Sequence, residues 1–267
     1  MTDRYAVIGN PVAHSKSPWI HAEFARTTRQ DIEYLRIEAP QDGFARTVGE
    51  FRSANGRGAN VTLPFKEEAY RYCDEVTPAG RLAGAVNTLA FASTGTRGDN
   101  TDGSGLLRDL TVNLGFPVRG RTILVLGAGG AARGLVGPLS GAGATQIVIA
   151  NRTVAKAQEL AKRFPASVEA CGFDALAGRD FELVINATSA GMAERALPVP
   201  TSVFRKGALA YELVYGRDTP FLALARRCGA TTADGTGMLV EQAADSFLLW
   251  RGIRPHTAPV IAALRAG

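Results

Sequence analysis

Short apolar runs rich in branched residues alternate along this chain with stretches whose apolar positions recur at helical spacing. Residues 5–9, 32–37, 58–62, 86–92, 122–126, 146–150, 181–186 and 208–214 read as strands. Between them lie helical patterns. One opens at Pro18, with Ser17 placed to cap it, and runs to about residue 28. Others cover 42–51 and 64–72, the latter led by Pro64, and one begins at Thr77-Pro78. Further helices are expected over about 104–114, 130–140 and 153–163, and a strong one over 238–251 stops at Gly252. Strand and helix in regular alternation predict an α/β protein built on largely parallel sheets.

The most informative stretch lies in the middle. The strand Thr122–Leu126 runs straight into Gly127-Ala128-Gly129-Gly130-Ala131-Ala132, and a helix opens at once. This is a variant of the dinucleotide-binding turn. Gly127 permits the tight turn, Gly129 lets main-chain amides approach a pyrophosphate, and the small residues that follow allow close helix–strand packing. The next strand ends in Asn151-Arg152-Thr153, with Lys156 one helical turn further on. An acidic residue at that place would bond a ribose 2′-hydroxyl; two cations and a hydroxyl favour a 2′-phosphate, so the cofactor expected is NADP rather than NAD. The loops after residue 186, as far as Met192, and at Tyr215 are further candidates to wall the cofactor, because ligands of open parallel sheets sit at the carboxyl ends of strands.

More than a hundred residues precede the glycine turn, too many for a linker. They predict a separate α/β domain over 1–103, joined by 237–267 packing back onto it, beside a Rossmann-type domain over 104–236. Within the first, Asn60-Val-Thr-Leu-Pro-Phe-Lys66 places a lysine in the first turn of a helix, where the helix dipole opposes an ammonium. A lysine that must hand over a proton suits that place, although a surface lysine is the plainer alternative. Asp102 is either the cap of the helix after it or a carboxylate partner for Lys66; spacing alone leaves both open. Ser15 and Ser17 in the first loop, with Asn60, Thr62, Asn87 and Gln242, would make a neutral polar pocket for hydroxyls and a carboxylate. His14 and His21 are assigned to structure.

The chain has 267 residues and a formal charge of +5, with lysines and arginines scattered in runs no longer than two. That distribution fits small anionic ligands and argues against nucleic-acid binding. Cys73, Cys171 and Cys228 form no C-x-x-C, so no disulfide framework or zinc site is expected, and three histidines are too few to suggest a metal centre. No apolar run approaches the ~20 residues of a membrane span, and the start of the chain does not resemble a signal peptide. A cytoplasmic protein, monomeric or homodimeric, is expected.

Taken together, these motifs resemble the shikimate dehydrogenase family. Gly9-Asn-Pro-Val-Ala-His-Ser-Lys-Ser-Pro18, Asn60–Lys66, Gly84-Ala-Val-Asn-Thr88 and Asn100-Thr-Asp-Gly103 look like its substrate-domain signatures. Gly127–Arg133, Asn151–Thr153, Asn186-Ala-Thr-Ser189 and Gly237-Met-Leu-Val-Glu-Gln242 look like the remaining ones. The resemblance spans residues 4 to about 260. It implies NADPH-dependent reduction of a ring ketone, with Lys66 and Asp102 as catalytic pair. It further implies Ser15, Ser17, Asn60, Thr62, Asn87, Tyr215 and Gln242 as substrate-binding positions. Thr188, Gly235 and Met238 join the glycine turn and the 151–153 segment on the cofactor side. Two positions depart from the family's usual pattern: Ala22 stands where Asn is common, and Glu212 where Asp is common. A quinate-accepting dehydrogenase is the nearest rival reading. A non-catalytic NADPH-sensing protein is a rival of another class, with no need for Lys66 and Asp102 together.

Overall fold

The computed structural model describes residues 2–188 and 196–266. The chain divides into two compact units: Met1–Gly105 with Val240–Gly267, and Leu106–Leu239. Both crossings fall inside helices rather than before Ser104 and Gly237.

In the first unit, β1 (Asp3–Gly9), α1 (Ser17–Thr28), β2 (Ile32–Glu38), α2 (Phe44–Ser53), β3 (Gly56–Val61) and α3 (Lys66–Tyr72) follow in order. Then come β4 (Glu75–Val76), α4 (Pro78–Ala83), β5 (Thr88–Ala92), β6 (Gly95–Asp99) and α5 (Asp102–Arg108), which continues as a wider turn to Asn113. The sheet order is β2-β1-β3-β5-β6-β4. β1 lies parallel to β2 and β3, and β4 to β6, whereas β5 runs antiparallel to both of its neighbours, β3 and β6. One apolar cluster, built on Phe44, Phe51, Phe65, Ile8, Val61 and Leu89, fills one face.

Three helix starts differ from the sequence expectation. Lys16, not Ser17, occupies the position before α1, and no side chain caps it; Ser15 Oγ instead accepts the Ser17 N–H at 3.2 Å. Pro64 stands outside α3, whose first residue is Lys66 itself. α5 likewise starts at Asp102, two residues before the expected position, because Asn100 Oδ1 accepts the Asp102 N–H at 3.1 Å and caps that turn.

The second unit contains β7 (Thr122–Leu126), α6 (Gly130–Gly141), β8 (Gln146–Ala150), α7 (Val154–Ala161), β9 (Val168–Cys171) and β10 (Phe181–Asn186). β11 (Phe204–Glu212), α8 (Pro220–Arg227) and β12 (Thr231–Asp234) complete it; α9 (Thr236–Arg251) and α10 (Ala258–Ala266) follow. Its sheet runs β12-β11-β10-β7-β8-β9 with every pairing parallel. The chain starts at β7, builds outward through β8 and β9, then returns to the other side of β7 with β10. That reversal makes the carboxyl ends of β7 and β10 the topological switch point, where ligands bind in open α/β sheets. β7, β8 and β10 are almost wholly buried, as strands covered on both faces must be.

Candidate functional site

The first unit gathers its polar residues at the end of β3 and the start of α5. Lys66 Nζ lies 2.5 Å from Asp102 Oδ2, and both side chains are largely buried. The other carboxylate oxygen, Oδ1, accepts from Asn87 Nδ2 at 2.9 Å. Asn87 is held in turn: its Oδ1 accepts the Thr101 N–H at 2.8 Å, which fixes the flip of the carboxamide and turns Nδ2 toward Asp102 and Gln242 Oε1. An ammonium, a carboxylate and two carboxamides thus meet within a hydrogen-bonded group drawn from α3, α5, α9 and the turn before β5. Lone buried charges are costly, whereas this pair has its partners.

Behind the pair lies a second layer of hydroxyls. Thr88 Oγ1 sits 3.0 Å from Asn87 Oδ1 and 2.8 Å from Ser246 Oγ, and Thr101 Oγ1 donates to the Gln242 carbonyl at 3.0 Å. Asn60 is committed to this layer. Its Nδ2 faces Ser246 Oγ at 2.9 Å and Thr88 Oγ1 at 3.2 Å, and its Oδ1 accepts from the Tyr34 hydroxyl at 2.7 Å. Both ends of the carboxamide are spent on protein, so Asn60 braces the pocket. Tyr34, Thr88, Thr101 and Ser246 were not singled out from sequence; only Ser246, one helical turn beyond Gln242 on α9, carried a usable signal.

Ser15, in the loop after β1, and Ser17, the first residue of α1, are both buried. Burial pushes the Tyr34 phenol well above its usual range, with a hydrogen bond to Ser17 opposing that rise. Thr62, half-buried, follows β3 directly and holds its main chain through the Ile8 carbonyl at 2.9 Å. Gln242 lies among the buried polar residues of α9.

His21 lies in the same unit, fully buried on α1 and stacked on Tyr34 at 4.2 Å, with Phe24, Phe247 and Trp250 around it. Neither ring nitrogen has a hydrogen-bond partner. Burial pulls its pKa from 6.5 down to about 3. The folded protein therefore keeps His21 neutral while the unfolded chain protonates it below pH 6.5. This contribution is complete above that pH and is lost as pH falls toward 3, at a slope of about 1.4 kcal/mol per pH unit. Chemical denaturation between pH 4 and 7 is expected to show that slope in the difference between the wild type and His21→Phe. Parallel curves for the two proteins would refute it.

In the second unit, Gly127 adopts φ +107°, and a Cβ there would stand 3.0 Å from the Ala187 carbonyl at the exit of β10. Glycine is required on both counts. Ala128 is buried; Gly129, exposed and with open space beside its Cα, immediately precedes α6, which Gly130 and Ala131 begin. This leaves the main-chain N–H groups of the first turn accessible to a phosphate. At the end of β8, Asn151 is half-buried and donates through Nδ2 to the Thr153 carbonyl at 2.9 Å, while Arg152, Thr153 and Lys156 are exposed. Thr188 bonds back to Asn186 Oδ1 through its N–H and hydroxyl. The loop reading for 189–192 lies outside the described residues. Tyr215 follows β11, half-buried. Gly235 leaves no room for a Cβ against the Leu213 carbonyl. The Met238 N–H donates to the Tyr211 hydroxyl at 3.3 Å, which itself donates to buried Asp109 at 2.6 Å. Glu212, fully buried, accepts from Asn186 Nδ2 at 2.7 Å and Thr219 Oγ1 at 2.9 Å, and its burial raises its pKa.

A parallel sheet with a glycine turn at its switch point, on one chain with a buried lysine–aspartate pair, defines a nicotinamide-dependent oxidoreductase of the α/β class. Family models agree in detail. Residues 7–89 match the shikimate dehydrogenase substrate binding domain, 112–194 the shikimate / quinate 5-dehydrogenase model, and 235–265 the shikimate 5'-dehydrogenase C-terminal domain. The chain is 55% identical over 99% of both sequences to an NADP(+) shikimate dehydrogenase of Methylobacillus flagellatus. Among solved structures it is similar to an Ael1 enzyme from Pseudomonas putida, with TM-score 0.93, 48% identity and 98% of each chain covered. It is also similar to the Thermus thermophilus shikimate 5-dehydrogenase in complex with NADP(H) and shikimate, with TM-score 0.89, 35% identity and 99% of each chain covered. The chain belongs to the shikimate dehydrogenase family.

Among the described residues no cluster of three or more His, Cys, Asp or Glu is placed to hold a metal ion, and no helix is long and apolar enough to cross a membrane.

Proposed function

We propose that this chain catalyses the reversible, NADP-dependent interconversion of 3-dehydroshikimate and shikimate. The observation that carries the reading is the buried contact between Lys66 Nζ and Asp102 Oδ2, with Asn87 on the carboxylate's other oxygen. Full-length identity to NADP(+) shikimate dehydrogenases supports it.

The glycine turn fits a dinucleotide. Gly127 cannot carry a side chain, and Gly129 leaves the entrance to α6 open. The first turn of α6 would hold the pyrophosphate, and Asn151, Arg152, Thr153 and Lys156 the 2′-phosphate. When bound, the reduced cofactor supplies the hydride. The protein supplies the proton and the geometry. Lys66 Nζ holds the proton that passes to the substrate's ketone oxygen and, as a cation, stabilises charge growing there. Asp102 keeps the ammonium from swinging away, and Asn87 keeps Asp102 from rotating. Ser15, Ser17, Thr62, Tyr215 and Gln242 would orient the ring hydroxyls and carboxylate. The three free cysteines suit a reducing, cytoplasmic setting.

Absorbance at 340 nm, followed with shikimate or quinate and with NADP or NAD, tests the assignment. Shikimate with NADP is expected to give the highest kcat/KM. Tight NADPH binding without turnover of either acid would instead establish a sensing protein.

A further inference from the structure

An arginine that none of the motifs contains stands beside the serine loop. Arg36 lies on β2, the edge strand of the first unit's sheet, opposite Val7 of β1. It is exposed, yet its guanidinium is ordered onto one atom. Nε donates to the main-chain carbonyl of Ser15 at 3.0 Å, and Nη2 donates to the same oxygen at 2.8 Å. Fixing so flexible a side chain costs conformational entropy, so the contact has to return something. Sheet stability does not need it, since β2 is already paired with β1 along seven residues.

Charge points the same way. Among the described residues Arg36 has no carboxylate partner, whereas Arg4, Arg57, Arg121, Arg205, Arg251 and Arg254 each have one. A guanidinium carries five N–H donors; two are spent on Ser15, and three remain for another acceptor. The loop it grips carries the buried Ser15 and leads straight to the buried Ser17 at the start of α1, with Ser15 Oγ accepting the Ser17 N–H. Holding the Ser15 main chain steadies the segment that presents both hydroxyls, and a cation beside them with no carboxylate partner raises the local potential for an anion.

We propose that Arg36 is a positioning residue for recognition of the substrate's carboxylate: it clamps the Ser15 carbonyl so that the Ser15 and Ser17 hydroxyls are held ready, and it lends their loop an unbalanced positive charge. This rests on the function proposed above and adds the residue that makes a neutral serine pair selective for an anion. Arg36 takes no part in hydride or proton transfer, so its loss falls on substrate affinity and leaves the chemical step intact.

Steady-state kinetics of the full chain with Arg36→Met and Arg36→Lys test this. Arg36→Met is expected to raise KM for shikimate about tenfold, the scale of one charge-assisted hydrogen bond, while kcat and KM for NADP change little. Arg36→Lys, which keeps the charge but cannot chelate one carbonyl through a planar fork, is expected to fall between. Shikimate methyl ester, which lacks the charge, should discriminate little between wild type and Arg36→Met. Thermal melts with and without NADP separate misfolding from the effect sought, because Arg36→Met should melt with the wild type. KM for shikimate within twofold of wild type in Arg36→Met, equal losses in the two variants, or a loss in kcat alone would overturn the proposal. A wild-type enzyme that turns over no shikimate would instead overturn the proposed function.

Discussion

Lys66→Ala is expected to lower kcat by about a thousandfold, within the range that a positioned proton donor contributes, while KM for shikimate stays within a few fold. The Lys66 side chain is 15% exposed, its ammonium lies 2.5 Å from a carboxylate that is itself held by Asn87, and no other lysine contacts that carboxylate among the described residues. A truncated side chain leaves the substrate's hydroxyl contacts in place, so ground-state binding survives and the loss appears in the transition state. The residual rate should come from orientation and hydride supply alone. Steady-state measurement in both directions, with direct titration of shikimate binding, separates the two contributions. A variant that keeps kcat and loses only KM would show Lys66 to be a binding residue.

Arg152→Ala is expected to raise KM for NADP about a hundredfold and to leave KM for NAD nearly unchanged, because a 2′-phosphate loses charge-assisted hydrogen bonds that a 2′-hydroxyl never made. Arg152 is exposed at the end of β8, one residue after Asn151, whose carboxamide pins the following turn to the Thr153 carbonyl. No ion pair holds Arg152 to the protein among the described residues, so its charge is available to a ligand. Arg152→Asp should go further and favour NAD, since a carboxylate repels the phosphate and bonds the ribose hydroxyls. The ratio of kcat/KM for the two cofactors is the readout. A ratio unchanged by Arg152→Ala would assign this arginine to solvent.

The nucleotide-binding half was the more legible part of the sequence. Thr122–Leu126, Gln146–Ala150 and Phe181–Asn186 have the same bounds in pattern and in structure, because strands buried on both faces read as unbroken apolar runs. β6 escaped notice for the opposite reason. Gly95-Thr-Arg-Gly-Asp99 has little apolar content, and its conformation comes from pairing with β5. β4 and β9 are too short to carry a period, and β12 is mostly polar. α8 is a helix that the sequence reading does not contain, although Thr219 caps it by accepting the Leu222 N–H and Pro220 opens it, the same kind of start as at Thr77-Pro78. At the site, sequence identified Lys66 and Asp102 but could not join them, since the β5–β6 hairpin separates them along the chain. Asn60 is bonded to Tyr34 and Ser246, partners that only folding brings to it.

The first unit is assembled from both ends of the chain, and this has a consequence for biosynthesis. Trp250 stacks on Tyr5 at 4.6 Å and donates to the Leu89 carbonyl at 2.9 Å, while Ser246 and Gln242 complete the polar layer behind Lys66 and Asp102. A nascent chain leaving the ribosome must hold its amino-terminal half unfinished until the last helices emerge. The nucleotide-binding unit, whose residues are contiguous, can mature while the proton-transfer centre is still waiting for its final pieces.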